Sequence, residues 1–457
     1  MQPDVVVAGP KLPPGPKGWP VLGVYPEFRT DPASFLLRVA RDYGDIAFFK
    51  MGPQSVYLLS RPDYVQDILV TQSSRFTKSR ILQRSKVLLG EGLLTSEGKF
   101  HLRQRRLAQP AFHRDRLAAY ASSMTECAMR VQSRWREGQI YDMSEEMMRL
   151  TLAVVARTLF SKDVEAEARQ IGQAMTDVLA TFDTLLLPFS TTLQRLPLPA
   201  FRRAERARGV LDTIIYKIIG ERRASGEDRG DLLSMLLLAQ DEEEHGERMS
   251  DKQIRDEALT LFLAGHETTA NALTWTWYLL AQNPEAEARL QEEWRTVLSG
   301  RVPTFDDIPK LRYTEMVLAE ALRIYPPAWA MSRLVVQNYN AGGYDIPPGS
   351  VCSFSQYVIH RKPEYFPEPE AFRPERWTPE AREARPKFSY FPFGGGPRVC
   401  IGERFAWMEG VLLIAAIGQH WSMKLASGHK VEPRAQITLR PRYGMRMALE
   451  RLNRVRL

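Results

Sequence analysis

Cysteine is scarce in this chain. Three occur among 457 residues, Cys127, Cys352 and Cys400, and they lie too far apart for a disulfide framework or a zinc-binding cluster. Such usage fits a reducing compartment. Long apolar runs are missing as well. No uninterrupted stretch reaches the ~18 residues of a membrane-spanning helix, and the first residues lack the basic start and apolar core of a signal peptide. The expectation is a cytoplasmic protein without a transmembrane segment. Nucleotide fingerprints are also lacking. The stretch 92–100, GLLTSEGKF, has one residue too many between its glycines for a phosphate-binding loop and ends on Phe100 where Ser or Thr is needed. His266-Glu267 opens a zinc-protease helix motif, but position 270 holds alanine in place of the second histidine.

What is present is an ordinary globular composition, 44% hydrophobic and 25% charged, in a chain long enough to bury a large core. Lys and Arg total 62 against 54 acidic residues, a net charge of +8. The arginines are scattered through apolar-periodic segments instead of gathered in an arm or recognition module, so an acidic protein partner is expected and nucleic acid is not.

The first 30 residues form a stiff lead through Pro13, Pro14, Pro16, Pro20 and Pro26. An amphipathic helix is predicted over 31–42, followed by alternating strands over 46–59 broken at Gly52-Pro53. Residues 76–97 mix basic and apolar side chains with glycines and read as a long irregular connection. Apolar periodicity then predicts helices over 114–134, 144–160, 164–182 and 202–224, with an apolar connection or lid over 181–201 and an acidic loop over 241–247. This part of the chain is mostly α.

Ser250 with Gln253 three residues later has the form of a capping box, and Asn283-Pro284 supplies a stop. The helix between them spans residues 251–282, roughly 48 Å at 1.5 Å per residue. Its middle, LFLAGHETT at 261–269, interrupts an apolar helix with small and polar groups. Near the end, the loop 393–402 (FGGGPRVCIG) delivers Cys400 just before an apolar run. Its glycines and proline suit a bend able to aim backbone N–H groups at one sulfur, which would lower the thiol pKa and favour a thiolate ligand. A buried free cysteine in a glycine turn is the plain alternative.

Phe393, Gly396, Arg398, Cys400 and Gly402 reproduce the pattern Phe-x-x-Gly-x-Arg-x-Cys-x-Gly, and in this the chain resembles the cytochrome P450 family. The resemblance extends to Ala264-Gly265-x-Glu267-Thr268-Thr269, to Glu320-x-x-Arg323, and to the segment 372–377, FRPERW, with Arg376. It implies one large, mainly α domain over 31–457 with a small β region, and haem b lying between the long central helix and the Cys400 loop. Cys400 would be the axial thiolate, which favours O–O cleavage. Phe393 would pack near the sulfur, with Gly402 closing the loop. Arg398, Arg105 and Arg333 would meet the propionates, joined by His101, which stands where the family carries tryptophan. Glu267 and Thr268 would deliver protons, and Glu320, Arg323 and Arg376 would form a buried structural network. The distal pocket implied is Leu261, Phe262, Ala264, Ala328, Trp329, Ala330 and Ile437. Apart from the resemblance, no residue stands out as a carboxylate anchor, although Arg80 or Arg84 in the loop before Gly90 could serve. Lys99, Arg103, Arg106 and Arg404 would form a basic face.

The activity implied is hydroxylation of a hydrophobic small molecule, a fatty acid, terpenoid or steroid, by a monomer using dioxygen and two electrons. Those electrons would come from a separate ferredoxin or flavodoxin-type donor with its reductase. A peroxide-driven haem enzyme and a non-catalytic haem-thiolate sensor are the alternatives. Neither needs the acid and hydroxyl pair on the central helix.

Overall fold

The structure is a computed structural model that describes residues 12–162, 168–185, 199–241 and 247–452. Its internal contacts divide the chain into two compact units. The first comprises residues up to 80 with 329–369 and 385–399, and the second comprises 81–328, 370–384 and the residues from 400 onwards.

The first unit is built on a five-stranded sheet in the order Ile46–Met51, Gln54–Leu59, Val351–Phe354, Met331–Val335, Phe76–Lys78. All neighbours are antiparallel except Gln54–Leu59 and Val351–Phe354. The first two strands join through Gly52, whose φ of +59° is costly for any residue with a Cβ. One face of the sheet packs into a core that includes Tyr57, Leu59, Phe354 and Phe391. Cys352 lies in that core, and burial pushes its thiol far above the ordinary range, so it is chemically inert. The helix Pro32–Tyr43 begins at Asp31, whose side chain accepts the Ser34 N–H, and it buries Phe35 edge-on against Phe49 at 5.6 Å. Part of the proline-rich lead is docked along the first strand: the Pro14 carbonyl accepts the Phe48 N–H at 2.9 Å.

The second unit is helical. Its longer helices are Arg114–Gln132, Met143–Phe160, Ala168–Leu185, Pro199–Ser225, Asp251–Gln282, Pro284–Leu298, Arg312–Ile324 and Glu403–Gly418. The central helix runs over Asp251–Gln282, with both reciprocal bonds of the Ser250/Gln253 capping box in place. Helix Glu403–Gly418 approaches helix Arg312–Ile324 so closely that a Cβ at Gly410 would stand 2.4 Å from Leu318. A three-stranded sheet (Trp421–Leu425, Arg446–Arg451, Ile140–Asp142) and the strand pair Pro433–Ala435 and Leu439–Pro441 complete the unit. The protein is thus mainly α with a small β region.

The stretch 76–97 departs from the irregular connection expected of it. It contains the strand Phe76–Lys78 and the short helices Arg80–Arg84 and Lys86–Leu89, each too brief to leave a periodic signature. Helix Ala168–Leu185 runs three residues past the end predicted at 182. Most of the expected lid, 186–198, and the acidic stretch 242–246 lie outside the described residues. Among the described residues no helix is long and apolar enough to cross a membrane.

Candidate functional site

In the first unit the segment leading to Cys400 is packed against residues 67–71, a short π-helical turn. A Cβ at Gly396 would stand 1.8 Å from the Leu69 carbonyl oxygen, and Gly396 holds φ at +65°, so two independent constraints demand glycine there. The Phe391 N–H donates to His360 Nε2 at 3.0 Å and fixes the entry to the bend. Phe393 and Arg398 are half-buried. Arg333, on the strand Met331–Val335, is buried at 7% exposure and donates to the Ser332 carbonyl at 3.0 Å. Trp329 is buried in the same unit, its carbonyl accepting from the Ser355 hydroxyl at 2.6 Å, while Ala330 is half-buried.

In the second unit Cys400 stands three residues before helix Glu403–Gly418. Cys400 is exposed as a residue, while its thiol is desolvated by the protein around it. Burial pushes the thiol up to about 11, against the Gly402 N–H and the Arg105 guanidinium, which both pull it down, while Glu403 adds to the rise. The Gly402 N–H lowers the thiol in the direction its glycine pattern suggested, but desolvation outweighs it, and a coordinated metal would be what holds the sulfur as thiolate.

Helix Gly98–Ala108 carries His101 and Arg105. Arg105 is half-buried and close enough for its charge to act on Cys400. His101 is buried at 3% exposure, with Nδ1 3.3 Å from the Ser96 hydroxyl. Arg103 is also buried, at 8%, which removes it from the exposed basic face and leaves Lys99, Arg106 and Arg404 there. The helix turns Arg103 inward because it sits four residues from Leu107, on the packed side.

The central helix is buried on nearly every side. Ala264, Gly265 and Thr268 interrupt that burial, and their i, i+1, i+4 spacing makes one strip. Thr268 bonds back to the Ala264 carbonyl at 2.6 Å. Glu267 turns elsewhere. Its carboxylate accepts from the Thr438 hydroxyl and from Arg440 in the strand Leu439–Pro441, and Asn271 donates to Thr438 at 3.1 Å. Trp275 Nε1 donates to the Leu439 carbonyl at 3.0 Å and pins that strand to the helix. A cleft of about 930 Å³ reaches this cluster, lined by Arg130, Arg149, His266, Glu267, Asn271 and Arg440 among others. Burial holds His266 down at about 4, offset in part by Glu267, so its ring is neutral at physiological pH.

Of the other expected pocket residues, Leu261 is buried on the strip's side of the helix, and Ala328 and Ile437 are half-buried. Phe262 lies elsewhere. It packs on Phe160 at 5.6 Å and lines an apolar pocket with Ile215 and Leu233. A two-residue step from Ala264 swings a side chain through roughly 200°, which carries Phe262 off the strip.

Glu320 and Arg323 are both fully buried and form a bidentate pair, Nε to Oε2 and Nη2 to Oε1, each 2.8 Å. Arg376 Nε at 3.3 Å, the Arg373 N–H at 3.0 Å and Trp377 Nε1 at 2.9 Å complete the shell of donors around one carboxylate.

The sequence had left three polar groups without roles. Thr438 and Arg440 meet Glu267 across more than 170 positions, a separation that leaves no local signal. Glu409 sits in the apolar run after Cys400, fully buried, and burial pushes its carboxyl up to about 8. The Thr269 hydroxyl offsets that rise in part.

One cysteine just ahead of a helix, an arginine next to it, and an open strip with one hydroxyl on an otherwise buried helix all fit a flat prosthetic group with a single thiolate ligand. Among the described residues no cluster of three His, Cys, Asp or Glu would hold a bare metal ion. The family model for cytochrome P450 matches residues 13–445. The chain belongs to the cytochrome P450 family. It is 42% identical to a cyclooctatin synthase of Streptomyces melanosporofaciens over 93% of this chain and 92% of that protein. It is 36% identical both to a cyclooctat-9-en-7-ol 5-monooxygenase of the same organism, over 90% of each chain, and to a pentalenene oxygenase of Streptomyces avermitilis, over 93% and 94%. As a cytochrome P450 the protein is an oxidoreductase, and a haem-thiolate centre is the cofactor its family implies.

Proposed function

We propose that this P450 hydroxylates a terpenoid, with Cys400 as the thiolate ligand of haem b. The observation that carries the reading is the strip Ala264, Gly265, Thr268, the place where a fully packed helix leaves room and a hydroxyl beside that room. The terpenoid class is supported by the relatives, whose names record action on cyclooctat-9-en-7-ol and pentalenene. Bound haem supplies the iron centre at which dioxygen is reduced and one oxygen atom is passed to a C–H bond.

The chain's own residues do the rest. Arg105 offers a guanidinium donor and His101 an imidazole N–H to a haem carboxylate. Leu261, Ala264, Ala328 and Ile437 line the substrate pocket. Thr268 both donates and accepts a hydrogen bond, so it passes protons at the open strip while keeping the helix closed through Ala264. Glu267 takes protons from water in the cleft, with Arg440 and Thr438 holding its carboxylate at the inner end. Glu320, Arg323 and Arg376 hold the fold. The exposed cations Lys99, Arg106 and Arg404 receive an acidic ferredoxin or flavodoxin, and the enzyme works as a cytoplasmic monomer.

The test is turnover of cyclic diterpene and sesquiterpene hydrocarbons and alcohols with NAD(P)H, a ferredoxin and its reductase under isotopically labelled dioxygen. The expected result is a product carrying one labelled oxygen. Turnover by peroxide alone, or label appearing only from water, would overturn the reading.

A further inference from the structure

The segment 90–96 has no periodicity of its own, yet it is tied to the central helix. The Glu91 N–H donates to Asp256 Oδ2 at 2.9 Å and the Leu93 N–H to Glu257 Oε2 at 3.0 Å. Both acids are buried, at 2% and 0% exposure, and neighbouring buried carboxylates are tolerated only where their charge is met. Arg255 meets Asp256 at 2.8 Å and is itself held by Asp212 at 2.6 Å, and Lys252 adds a contact to Asp256 at 3.1 Å. Glycine makes the approach possible. A Cβ at Gly90 would stand 2.1 Å from the Asp256 carboxyl and one at Gly92 would stand 2.2 Å from Thr260 Oγ1.

The loop is also closed on itself. The Thr95 hydroxyl donates to the Gly90 carbonyl at 2.6 Å, and the N–H groups of Thr95 and Ser96 both donate to the Gly92 carbonyl at 2.9 Å. Ser96 then reaches His101 Nδ1 with its hydroxyl, at 3.3 Å.

We propose that Asp256 and Glu257 are positioning residues for His101: they clamp 90–96 to the central helix so that Ser96 orients the imidazole toward a haem propionate. This rests on the haem-thiolate reading and on His101's place in it. A contact to Nδ1 fixes the ring plane and leaves Nε2 as the nitrogen for the propionate, the way an outer partner sets the orientation of a ligating histidine. The central helix also carries Thr268, so the clamp refers the propionate histidine and the hydroxyl relay to one rigid element.

The experiment uses haem-loaded enzyme with D256N, E257Q, S96A and their combinations. It reads amide hydrogen exchange at Glu91 and Leu93, and haem transfer to excess apomyoglobin. A bond to a charged acceptor is worth about twice one to a neutral acceptor, so D256N should speed exchange at Glu91, and E257Q at Leu93, roughly tenfold. Both should hasten haem transfer, and S96A should hasten it without touching exchange at those amides. The decisive result is non-additivity: in the S96A background D256N and E257Q add little further haem loss. Additive haem loss overturns the proposal by showing that the acids act on the fold and not through Ser96, and unchanged exchange overturns the clamp itself. Should a charge variant fail to fold, G92A drives a methyl into Thr260 without altering any charge, and the same outcomes apply. The carbon monoxide difference spectrum separates the two levels. A wild type without the red-shifted Soret band removes both the haem-thiolate reading and the clamp, whereas the band in every variant with unchanged haem loss removes only the clamp.

Discussion

Two buried glutamates, each paired with arginine, divide the labour of this protein. Glu320 is sealed: five donors from Arg323, Arg376, Arg373 and Trp377 surround it, and neither it nor Arg323 has any exposed side-chain surface. Among the described residues Glu267 is bonded by Thr438 and Arg440 alone, its arginine keeps 25% of its side chain exposed, and the pair borders a wide cleft. Ion pairing is common to both. What differs is closure. A carboxylate with every lone pair occupied and no water at hand has no proton to exchange, while one at the wall of a cleft, next in sequence to a hydroxyl on an open strip, has a source and a destination.

The sharpest way to break the comparison is to neutralise each acid. Glu320→Gln strands two arginines in a dry site, and loss of one partner of a buried pair costs about 3–5 kcal/mol. We expect little folded protein, measured as soluble yield and thermal midpoint. Glu267→Gln should fold and bind substrate with near-normal affinity, yet slow turnover by about 10²- to 10⁴-fold, the usual worth of positioned proton transfer. A larger solvent isotope effect should accompany the loss. If Glu267→Gln also prevented folding, the two acids would be equivalent and the distinction would fail. Thr268→Val keeps the shape of the strip and deletes its hydroxyl. Product formed per NAD(P)H oxidised should fall and hydrogen peroxide should rise, whereas unchanged coupling would make Thr268 a structural residue.

Glu409 sharpens the comparison from the other side, as a buried acid whose carboxylate oxygens meet no hydrogen-bond donor among the described residues. Its folded pKa, about 8, lies above its unfolded value, so its contribution to stability is full below about pH 4.5 and is lost as pH rises through 8. In that window the folded state binds more protons than the unfolded state, and stability falls by up to about 1.4 kcal/mol per pH unit. Glu409→Gln should flatten the fall, measured as the difference in unfolding free energy between pH 5 and pH 8. A smaller effect is expected at Arg440. Arg440→Ala should lower turnover by about tenfold without a large change in thermal midpoint, because a half-open ion pair contributes modestly to stability.

The central helix was readable to the residue, because its capping box is a local exchange between Ser250 and Gln253 and its stop is a proline. The Cys400 loop was readable because glycine at 396 answers a positive φ and a close backbone at once. Arg376 lies 56 positions from Glu320 and was placed only through the family resemblance. Arg440 lies 173 positions from Glu267, and nothing in periodicity or spacing joins them. The Gly402 N–H that lowers the Cys400 thiol was legible in the glycines, but the depth that desolvates the sulfur and outweighs it was not. The helices within 76–97 escaped because four or five residues make little more than a turn. The inward turn of Arg103 was missed because charge in a sequence carries no direction.

The central claim, that Cys400 is the thiolate ligand of a haem, is tested most directly by the carbon monoxide difference spectrum of the reduced protein. Wild type should show the red-shifted Soret band of thiolate ligation, Cys400→Ser should lose it, and Cys352→Ser should keep it. A band that survives Cys400→Ser, or one that Cys352→Ser abolishes with the fold intact, would contradict the assignment.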